Sequence, residues 1–491
     1  MKIKNLSLLC MTAVLLSGTF VSCARTQTTD TPTTTQAAID TVQAVETEAE
    51  PAETMPPLEI RDFGGRDFRI SVSRRYVDEM WVESENGDVC NDAVFRRNQK
   101  IEEAYNVNIV AIPAPNDSSN AQVNEINKVL TAGDDVFDLT AVYTFLAGGP
   151  ALKGHYYSWN DIPYVALDEK WWIQSANDAF SVNGEQYVAV GDLSVTTLLL
   201  TYAVFFNKRL VDDYDLPDLY KTVLDGKWTI DYLNSLTRDI YQDLNGSGTA
   251  DEGDLYGFAA DKVTNLDAYP SAFDIPLIKQ DDNGAPYVAM DIERMTTGVE
   301  KVYALYYNSG NSSYIPEAGK EITAFASGNV AFLTTWIDNA FTEFREMTDD
   351  YGILPYPKLD EAQKEYYTNS MDNYSLLSVP KTVSDVEFVG LITEAMTRES
   401  HLSVIPAYYD VALTQKYARD EASVAMLDLI MAGRMYDFSI LHSGKMSSLP
   451  YLFRDLVAKK DTNVASKFAK IESKLNSGIA SLIETYAEVN Q

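Results

Sequence analysis

Gly184-Glu-Gln-Tyr-Val-Ala-Val-Gly-Asp192 and the apolar run that follows it, at residues 195–206, indicate how the whole chain is organised. Residues 187–190 form a short β-rich run before Gly191, which predicts a strand. Residues 195–206 contain no Gly or Pro and favour a strand buried on both faces of a mostly parallel sheet. This run is too short to span a bilayer. We therefore expect the chain to leave one lobe at residues 184–192 and enter the central sheet of a second, with a ligand between them.

The sequence before this stretch alternates between strand and helix patterns. The predicted elements are, in order, a strand at 68–72, a helix at 91–105 capped by Asn91, a strand at 107–112, a helix at 122–132 and a strand at 135–142. This order is typical of a parallel α/β lobe with right-handed crossovers. Ligands of such sheets bind beyond the carboxyl ends of the strands, so Tyr143 is a candidate ligand contact.

The sequence after this stretch predicts a second set of strands and a helical C-terminal third. Thr229 is placed to cap a helix that runs to about residue 242. The remaining predicted elements are strands within 325–336, 351–357 and 370–379, and helices at 384–399, 411–432 and 445–486 with breaks. We expect the strand at 370–379 to carry the chain back to the first lobe.

Composition limits the class of protein. The chain has 491 residues, of which 46% are hydrophobic and 23% charged, as in ordinary globular proteins of two to four domains. Its 39 Lys and Arg face 72 Asp and Glu, giving a net charge of −33. This balance argues against a nucleic-acid partner, because phosphate contacts need Lys and Arg. It is typical of an acidic, well-solvated surface.

The N-terminal segment predicts export. Residues 1–22 have a basic start, an apolar region and small residues before Cys23, which is typical of a signal peptide. Phe20-Val-Ser-Cys23 resembles a bacterial lipobox, in which the Cys is lipidated; the alternative is simple secretion with Cys23 as a free thiol. Residues 24–57 are rich in Thr, Ala, Glu and Pro and lack aromatics, so we expect a disordered tether. These features predict lipid anchoring at the extracellular face of a bacterial membrane.

One short motif matches a calcium loop of the EF-hand type. In Asp243-Leu-Asn-Gly-Ser-Gly-Thr-Ala-Asp-Glu-Gly-Asp254, oxygen-bearing side chains recur at alternate positions and Gly248 stands where the turn needs glycine. The predicted ligands are Asp243, Asn245, Ser247, Thr249, Asp251 and Asp254. Asp254 stands where Glu is usual, which weakens bidentate closure. We expect structural Ca²⁺; the alternative is an acidic, Gly-rich turn without a metal.

Few residues point to catalysis. The chain has three widely spaced His and no G-x-S-x-G, Walker or H-E-x-x-H motif. Ser378-Val-Pro-Lys381 fits S-x-x-K, but its Pro disfavours the helix that this motif opens. We therefore expect a protein that is not an enzyme. Because paired carboxylates are compatible with so acidic a chain, a surface-anchored glycoside hydrolase or lyase is the alternative.

Several pieces of the chain form an ordered set: 100–108, 135–142, 205–208, 227–231, 326–332 with Trp336, and 353–355, together with the lipobox. In this order they resemble the extracellular solute-binding proteins of ABC importers, in the sugar-binding group that includes maltose-binding protein. Phe206 departs from the pattern, since the family's strand usually ends Tyr-Asn-Lys.

The resemblance implies a two-lobed α/β fold of the periplasmic-binding-protein type (type II), with a mostly parallel sheet and flanking helices in each lobe and hinge strands between them. Lobe 1 would comprise residues 58–190 and 368–405, and lobe 2 residues 191–367 and 406–491. It also implies a monomer that captures an oligosaccharide and delivers it to a membrane permease. A receptor for a peptide or another small solute is a further alternative.

The candidate ligand contacts are mostly aromatic. Trp336, at the end of a predicted buried strand, is the first, because an indole stacks on the apolar face of a sugar while its N–H finds a polar partner. In the family that the chain resembles, a Trp after this strand commonly does so. The other candidates are Tyr143, Trp81, Tyr374, Asp372, Tyr408 and Tyr409. Core packing explains the Tyr residues equally well, and a turn role explains Asp372.

Overall fold

The structure, a computed structural model, describes residues 55–412 and 421–489. The elements lie in a compact unit, Pro57–Gln491. The predicted signal peptide, Cys23 and nearly all of the predicted tether lie outside the described residues, and the lobe boundaries stay a prediction. Among the residues that are described, no helix combines the length and apolarity needed to cross a membrane.

The strands form two main sheets and a hairpin. Their bounds are β1 (Arg66–Val72), β2 (Val107–Pro113), β3 (Leu139–Tyr143), β4 (Tyr202–Asn207), β5 (Tyr241–Gln242), β6 (Leu255–Ala259), β7 (Ile278–Gln280), β8 (Pro286–Val288), β9 (Ser313–Tyr314), β10 (Val330–Trp336), β11 (Tyr351–Leu354) and β12 (Ser375–Ser378).

Helices flank the sheets and make up the C-terminal third. Those before β10 are α1 (Val77–Met80), α2 (Val89–Tyr105), α3 (Ser119–Ala132), α4 (Thr144–Ala151), α5 (Gln174–Phe180), α6 (Thr196–Leu199), α7 (Lys208–Asp213), α8 (Leu219–Leu224), α9 (Ile230–Thr237), α10 (Tyr269–Ala272), α11 (Ile292–Tyr307) and α12 (Lys320–Ala326). Those after β10 are α13 (Asp338–Phe341), α14 (Val386–Glu399), α15 (Ile405–Ala412), α16 (Glu421–Ala432), α17 (Phe438–Leu441), α18 (Leu452–Ala458) and α19 (Val464–Val489). A π-helix, Ser400–Val404, joins α14 to α15.

The small sheet has the strand order β12-β3-β1-β2. Strands β1, β2 and β3 are parallel, and α2 and α3 connect them, which confirms the predicted α/β order. Strand β12 joins β3 antiparallel. The predicted cap of α2 is wrong: Asp88, not Asn91, accepts the amide hydrogens of Cys90 and Asn91 at 3.0 and 3.1 Å.

The large sheet has the order β11-β4-β10-β6-β5, with β9 beside β6. The expectation of a mostly parallel second sheet is wrong, because β4 runs antiparallel to both β10 and β11 while β10 and β6 are parallel. Every residue of β4 is buried. Burial on both faces produces the apolar run that the sequence displays, but it does not determine the direction of the neighbouring strands.

The predicted continuous strand at 195–206 is also wrong. The chain first makes the short helix α6 and only then enters β4. At the start of α6, Thr196 donates from its amide (3.1 Å) and hydroxyl (2.8 Å) to the buried carboxylate of Glu79. An apolar run does not distinguish a buried helical turn from a buried strand, because both lack solvent-facing positions.

The predicted strand at 187–190 makes only a single bridge. Ala189 exchanges two backbone hydrogen bonds of 2.9 Å with Leu377 of β12. Close packing continues at Gly191, where a Cβ atom would lie 2.8 Å from the ring of Trp172.

Two segments run between the sheets, at 191–201 and 366–374, and they bond to each other. Thr201 and Ser370 form a bridge, and the amide of Met371 donates to the carbonyl of Leu200 at 2.9 Å.

Candidate functional site

A cavity of about 630 Å³ lies at the carboxyl ends of β1, β2 and β3, and we call it the candidate pocket. Its lining comes from the loops after these three strands and from the second crossing segment. The lining residues are Ser73, Arg74, Arg75, Ala114, Asn116, Asp117, Ser118, Ser119, Gln122, Tyr143, Phe145, Met371, Asp372 and Asn373. This is the edge of a parallel sheet at which ligands bind, and the volume suits a small solute.

Tyr143, the last residue of β3, stands at the centre of an aromatic group. Its hydroxyl hydrogen-bonds to Ser73 Oγ at 2.5 Å. Its ring meets Tyr76 edge-on at 5.6 Å and stacks near Phe145 at 6.0 Å. Because the hydroxyl is fixed by Ser73, the ring is held in one orientation. The group offers flat apolar surface next to polar atoms, the combination that sugar rings fit.

Asp372 links the candidate pocket to residues far along the chain. Its Oδ2 accepts from the hydroxyl of Tyr451 at 2.6 Å. Arg454 lies with its guanidinium 4.2 Å from the Tyr451 ring and donates to Asp267 at 2.7 Å. Burial raises the pKa of Asp372, opposed by the Tyr451 hydrogen bond and the Arg454 charge. Burial also raises the pKa of Asp267 well above its usual range.

Asn373 contributes an acceptor that has no partner. Its side chain is 7% exposed, and its Nδ2 donates to the hydroxyl of Tyr76 at 2.9 Å. Its Oδ1 accepts no hydrogen bond from any described residue. A buried acceptor without a donor is destabilising, so the site is suited to a ligand hydroxyl or a water molecule.

Two arginines follow β1 on one side of the candidate pocket. Arg74 donates from Nε to the carbonyl of Ala114 (2.6 Å) and from Nη2 to that of Pro115 (3.0 Å). The positive charge of Arg75 interacts electrostatically with the carboxyl group of Asp338 in α13. Burial raises the pKa of Asp338 to about 6, and the charge of Arg75 opposes that rise.

Most of the other predicted contacts lie elsewhere. Trp336 ends β10, half-buried, with its ring edge-on to Tyr202 at 6.3 Å, and it is not part of the lining of the candidate pocket. Tyr374 is buried beside a cavity of about 50 Å³. Trp81, at the end of α1, is 38% exposed.

Tyr408 and Tyr409 lie half-buried on α15. Tyr408 packs edge-on against Phe341 at 5.6 Å and lines a separate cavity beside Cys90. The structure thus brings together Tyr143 and Asp372, and it does not bring the other candidates to the same pocket.

Trp171 and Trp172 serve the core. Their indole N–H groups donate to the same buried carboxylate, Glu394 of α14, at 2.8 and 2.9 Å. Burial raises the pKa of Glu394, and these two hydrogen bonds are among the interactions that oppose the rise. The pair therefore holds α14 against the lobe, the packing role that one expects of two adjacent indoles.

The predicted calcium loop lies between β5 and β6. Asp243 accepts the amide hydrogens of Gly246 at 2.7 Å and Gly248 at 2.8 Å. Asp251 accepts from Asn245 Nδ2 at 2.8 Å. Asp254 is fully buried and accepts from the Tyr241 hydroxyl at 2.9 Å and the Leu244 amide at 3.2 Å.

The carboxylates of the loop thus already accept hydrogen bonds from groups of the loop and from Tyr241 of β5. Among the described residues, no group of three or more His, Cys, Asp or Glu side chains is arranged to hold a metal ion. In particular, the hydrogen bonds of Asp254 occupy the carboxylate that would close an EF-hand. Calcium binding requires these side chains to turn inward, and the site stays a prediction.

Comparison with known proteins identifies the fold. No protein-family model matches the chain, and no curated protein matches it. Solved structures do match it. The GacH receptor of Streptomyces glaucescens, solved unliganded and with acarbose, has 13% identity and a TM-score of 0.52 over 87% of this chain and 98% of its own. The fold is the two-lobed α/β fold of maltose-binding protein.

Two further structures agree. T. maritima MalE3 with bound maltose has 12% identity and a TM-score of 0.51, covering 87% of this chain and 100% of its own. UgpB from Mycobacterium tuberculosis in complex with glycerophosphocholine has 14% identity and a TM-score of 0.56, covering 86% and 99%. The predicted two-lobed α/β fold is therefore confirmed, with a large sheet that is mixed and not mostly parallel. At these identities the likeness establishes the fold alone.

The residues that sequence reasoning missed fall into two groups. Arg74 and Arg75 follow a predicted strand directly, so the argument that selected Tyr143 applies to them as well. Tyr451 and Arg454 lie in the C-terminal helices, and no local pattern connects them to Asp372.

Proposed function

We propose that the protein is a non-enzymatic solute receptor that binds a sugar in the candidate pocket and delivers it to an ABC-type membrane permease. The observation that carries the proposal is the pocket itself, about 630 Å³ at the carboxyl ends of β1–β3, lined by aromatic and polar side chains. Three structures of this fold bind acarbose, maltose or glycerophosphocholine. Both lines of evidence favour a small, hydroxyl-rich ligand.

The chemistry of the lining supports a sugar. Tyr143 and Phe145 give flat rings on which the apolar face of a pyranose stacks, and Tyr76 supports the Tyr143 ring from behind the lining. Asp372 and Asn373 give acceptors for hydroxyl hydrogens. A site built for hydrogen-bonding hydroxyl groups discriminates strongly against analogues that lack them, because its buried polar atoms then stay unpaired.

The two crossing segments support closure about a hinge. Each runs between the sheets, and buried Glu79 accepts hydrogen bonds from Thr196 in the first and from Ser375 just after the second. Hinge closure around a ligand is the known motion of periplasmic binding proteins as a class. Such closure encloses a ligand without chemical change to it.

Anchoring to the outer face of a bacterial membrane is part of the proposal. The lipobox-like Phe20-Val-Ser-Cys23 supports it. Metabolic labelling with a fatty acid is expected to mark the wild-type protein and to fail for Cys23→Ala. Labelling of both proteins, or of neither, would contradict the anchor and leave the binding proposal intact.

The binding proposal is tested by calorimetric titration of purified mature protein with neutral and acidic oligosaccharides, glycerophosphocholine and short peptides. We expect a saccharide to bind and to raise the melting temperature, because ligand at 100 times its Kd stabilises by about 2.7 kcal/mol. Tyr143→Ala is expected to weaken binding by at least about tenfold, since aromatic anchors dominate binding energy. Trp81→Ala, an exposed site outside the candidate pocket, is the matched control.

Two results would overturn the proposal. One is release of smaller sugars from a polysaccharide by the purified protein, which establishes a hydrolase or lyase. The other is binding of peptides but of no saccharide. Binding of glycerophosphocholine alone would keep the receptor and change its ligand.

A further inference from the structure

The geometry points to an acidic saccharide as the ligand, with its carboxylate or phosphate group held by Arg74, Arg75 and the amino end of α3. This inference rests on the proposed function and names the substrate class of the same pocket. One side of the candidate pocket is positively charged, and a neighbouring side has an acceptor that needs a hydroxyl donor.

Arg74 and Arg75 bring positive charge to one side of the candidate pocket. Neither Arg74 nor Arg75 forms an ion pair with any residue that the structure describes, although acidic residues outnumber basic ones by 72 to 39. Arg69 and Arg454, by contrast, are each paired with carboxylates. The carbonyls of Ala114 and Pro115 fix the guanidinium of Arg74 without neutralising it. Arginine forks match carboxylate and phosphate geometry.

The amino end of α3 also borders the candidate pocket. This helix has 14 residues, and its first residues lie in the lining of the candidate pocket through Ser118 and Ser119. The Ser118 side chain makes no capping hydrogen bond, whereas Asp88 caps α2. Uncapped amides and the helix dipole together favour a negative group at this position.

Asn373 adds an unpartnered hydrogen-bond acceptor to the candidate pocket. Its nearly buried side chain lines the same pocket, and its Oδ1 has no partner among the described residues. An acceptor needs a donor, which a sulfate dianion lacks and which each hydroxyl of a sugar supplies. The pocket therefore complements a molecule that carries both an anionic group and hydroxyl groups.

Three carboxylates near the candidate pocket limit where an anionic group of the ligand can lie. Asp117 is exposed in the loop after β2, Asp338 feels the charge of Arg75, and Asp372 accepts a hydrogen bond from Tyr451. The anionic group of the ligand is placed at Arg74 and α3, away from Asp372. The hydroxyl-bearing ring then lies over Tyr143, toward Asp372 and Asn373.

The test compares acidic and neutral saccharides of equal size by calorimetry. The probes are a digalacturonate, a hexose 6-phosphate, their uncharged counterparts and inorganic phosphate. Tight binding is expected for at least one acidic saccharide, at least about tenfold tighter than its neutral counterpart, in line with charge-assisted hydrogen bonds. Raising the salt concentration from 50 to 500 mM is expected to weaken the binding of the acidic saccharide and to leave the binding of the neutral one unchanged.

The double variant Arg74→Gln, Arg75→Gln is expected to reduce acidic binding by at least about tenfold and to leave neutral binding within about twofold. Both side chains are exposed, so the variant is expected to fold. Ser118→Glu, which places a negative charge at the amino end of α3, is expected to act in the same direction. Arg96→Gln removes an exposed arginine that is paired with Glu85 and is the matched control.

The outcomes separate the two proposals. If a neutral saccharide binds as tightly as its acidic counterpart and the arginine variant changes neither, the acidic class is wrong and the sugar receptor stands. Inorganic phosphate binding as tightly as the hexose phosphate would likewise overturn the saccharide part. If no saccharide of either kind binds, the proposed function itself fails.

Discussion

The carboxyl end of the small sheet and the matching region of the large sheet differ in how open they are, since the first borders a cavity of about 630 Å³ and the second is filled by buried aromatic rings. In the small sheet, Arg75 makes no ion pair with a described residue and Asn373 keeps an unpartnered oxygen. In the large sheet, buried Tyr202 donates to the carbonyl of Thr264 at 2.8 Å and meets Tyr356 edge-on at 6.1 Å. We infer that stability is concentrated on the large sheet and recognition on the small sheet.

Removing a large side chain that packs on the large sheet is expected to have the largest effect. Trp228 is fully buried, donates to the carbonyl of Pro355 at 2.8 Å and stacks on Phe332 at 6.0 Å. Trp228→Ala is expected to lower the free energy of unfolding by about 3–5 kcal/mol, because it leaves a cavity and an unpaired carbonyl. Chemical denaturation measures this change.

Trp81→Ala is the matched control, since this indole is 38% exposed at the end of α1. Its effect is expected to stay near about 0.5 kcal/mol. Equal losses in the two variants would show that stability does not reside mainly in the large sheet.

The sequence around Trp228 shows how far local patterns reach. Thr229 was predicted to cap a helix, and its side chain accepts from the amide of Tyr232 at 3.2 Å. The predicted end near residue 242 is wrong, because α9 ends at Thr237 and Tyr241–Gln242 pairs with β6 instead. No Gly or Pro marks this end in residues 229–243. A partner distant in sequence determines it, and local propensity does not contain that information.

A pH-dependent effect of similar size is expected at Glu79, which lies between the two regions. It is fully buried, and burial raises its pKa to about 7, against hydrogen bonds from Ser375 and Thr196 and the charge of Arg97. Tyr76 and Tyr408 also face it. Because this pKa lies above the ordinary value of 4.5, the folded protein keeps a proton that the unfolded chain loses between these values.

The stabilising contribution of that proton is therefore complete below pH 4.5 and is lost as the pH rises through 7, amounting to about 3 kcal/mol. Glu79→Gln does not titrate, so its stability is expected to fall less than that of the wild type between pH 5 and 8. Glu321, whose pKa burial raises to about 7, contributes in the same direction in both proteins. Denaturation curves at each pH, with the partly exposed Glu125→Gln as control, measure the difference; parallel curves for Glu79→Gln and wild type would contradict it.

The sequence predicts the fold more completely than it predicts the candidate pocket. Tyr143 is identified by a positional rule, because it comes directly after a buried strand of a parallel sheet. Trp336 obeys a similar pattern, yet its strand lies in a mixed sheet and its ring packs against Tyr202. The contact between Asp372 and Tyr451 spans 79 residues, and only tertiary packing creates it.

A smaller effect is expected from calcium, whose loop belongs to the large-sheet side but is exposed. If Asp243 and its neighbours turn to bind the ion, 2 mM Ca²⁺ is expected to raise the melting temperature by about 2 °C, since extracellular sites have Kd values of about 10⁻⁴–10⁻³ M. Excess chelator reverses the shift, and Asp243→Asn abolishes it. Asp225→Asn, an exposed Asp on another loop, is the control. A melting temperature independent of calcium would leave the loop as a hydrogen-bonded turn.

The smallest effect is expected where the two regions touch at the surface. Arg345 lies 3.5 Å from Asp88, which caps α2, and the two side chains are 50% and 42% exposed. Solvent screens such a pair, so Arg345→Gln is expected to change stability by less than about 1 kcal/mol, and less still at high salt. Asp88→Asn keeps a capping oxygen and completes a double-mutant cycle.

Ligand affinity in the same variants decides what holds the lobes together. If the unpaired groups of the candidate pocket drive closure, Arg345→Gln changes the Kd by no more than about twofold, in proportion to a screened ion pair. A tenfold change would mean that this contact outside the pocket contributes about 1.4 kcal/mol to binding, more than an exposed ion pair supplies. Recognition would then depend on contacts between the regions as much as on the small sheet, and the contrast between the two would no longer hold.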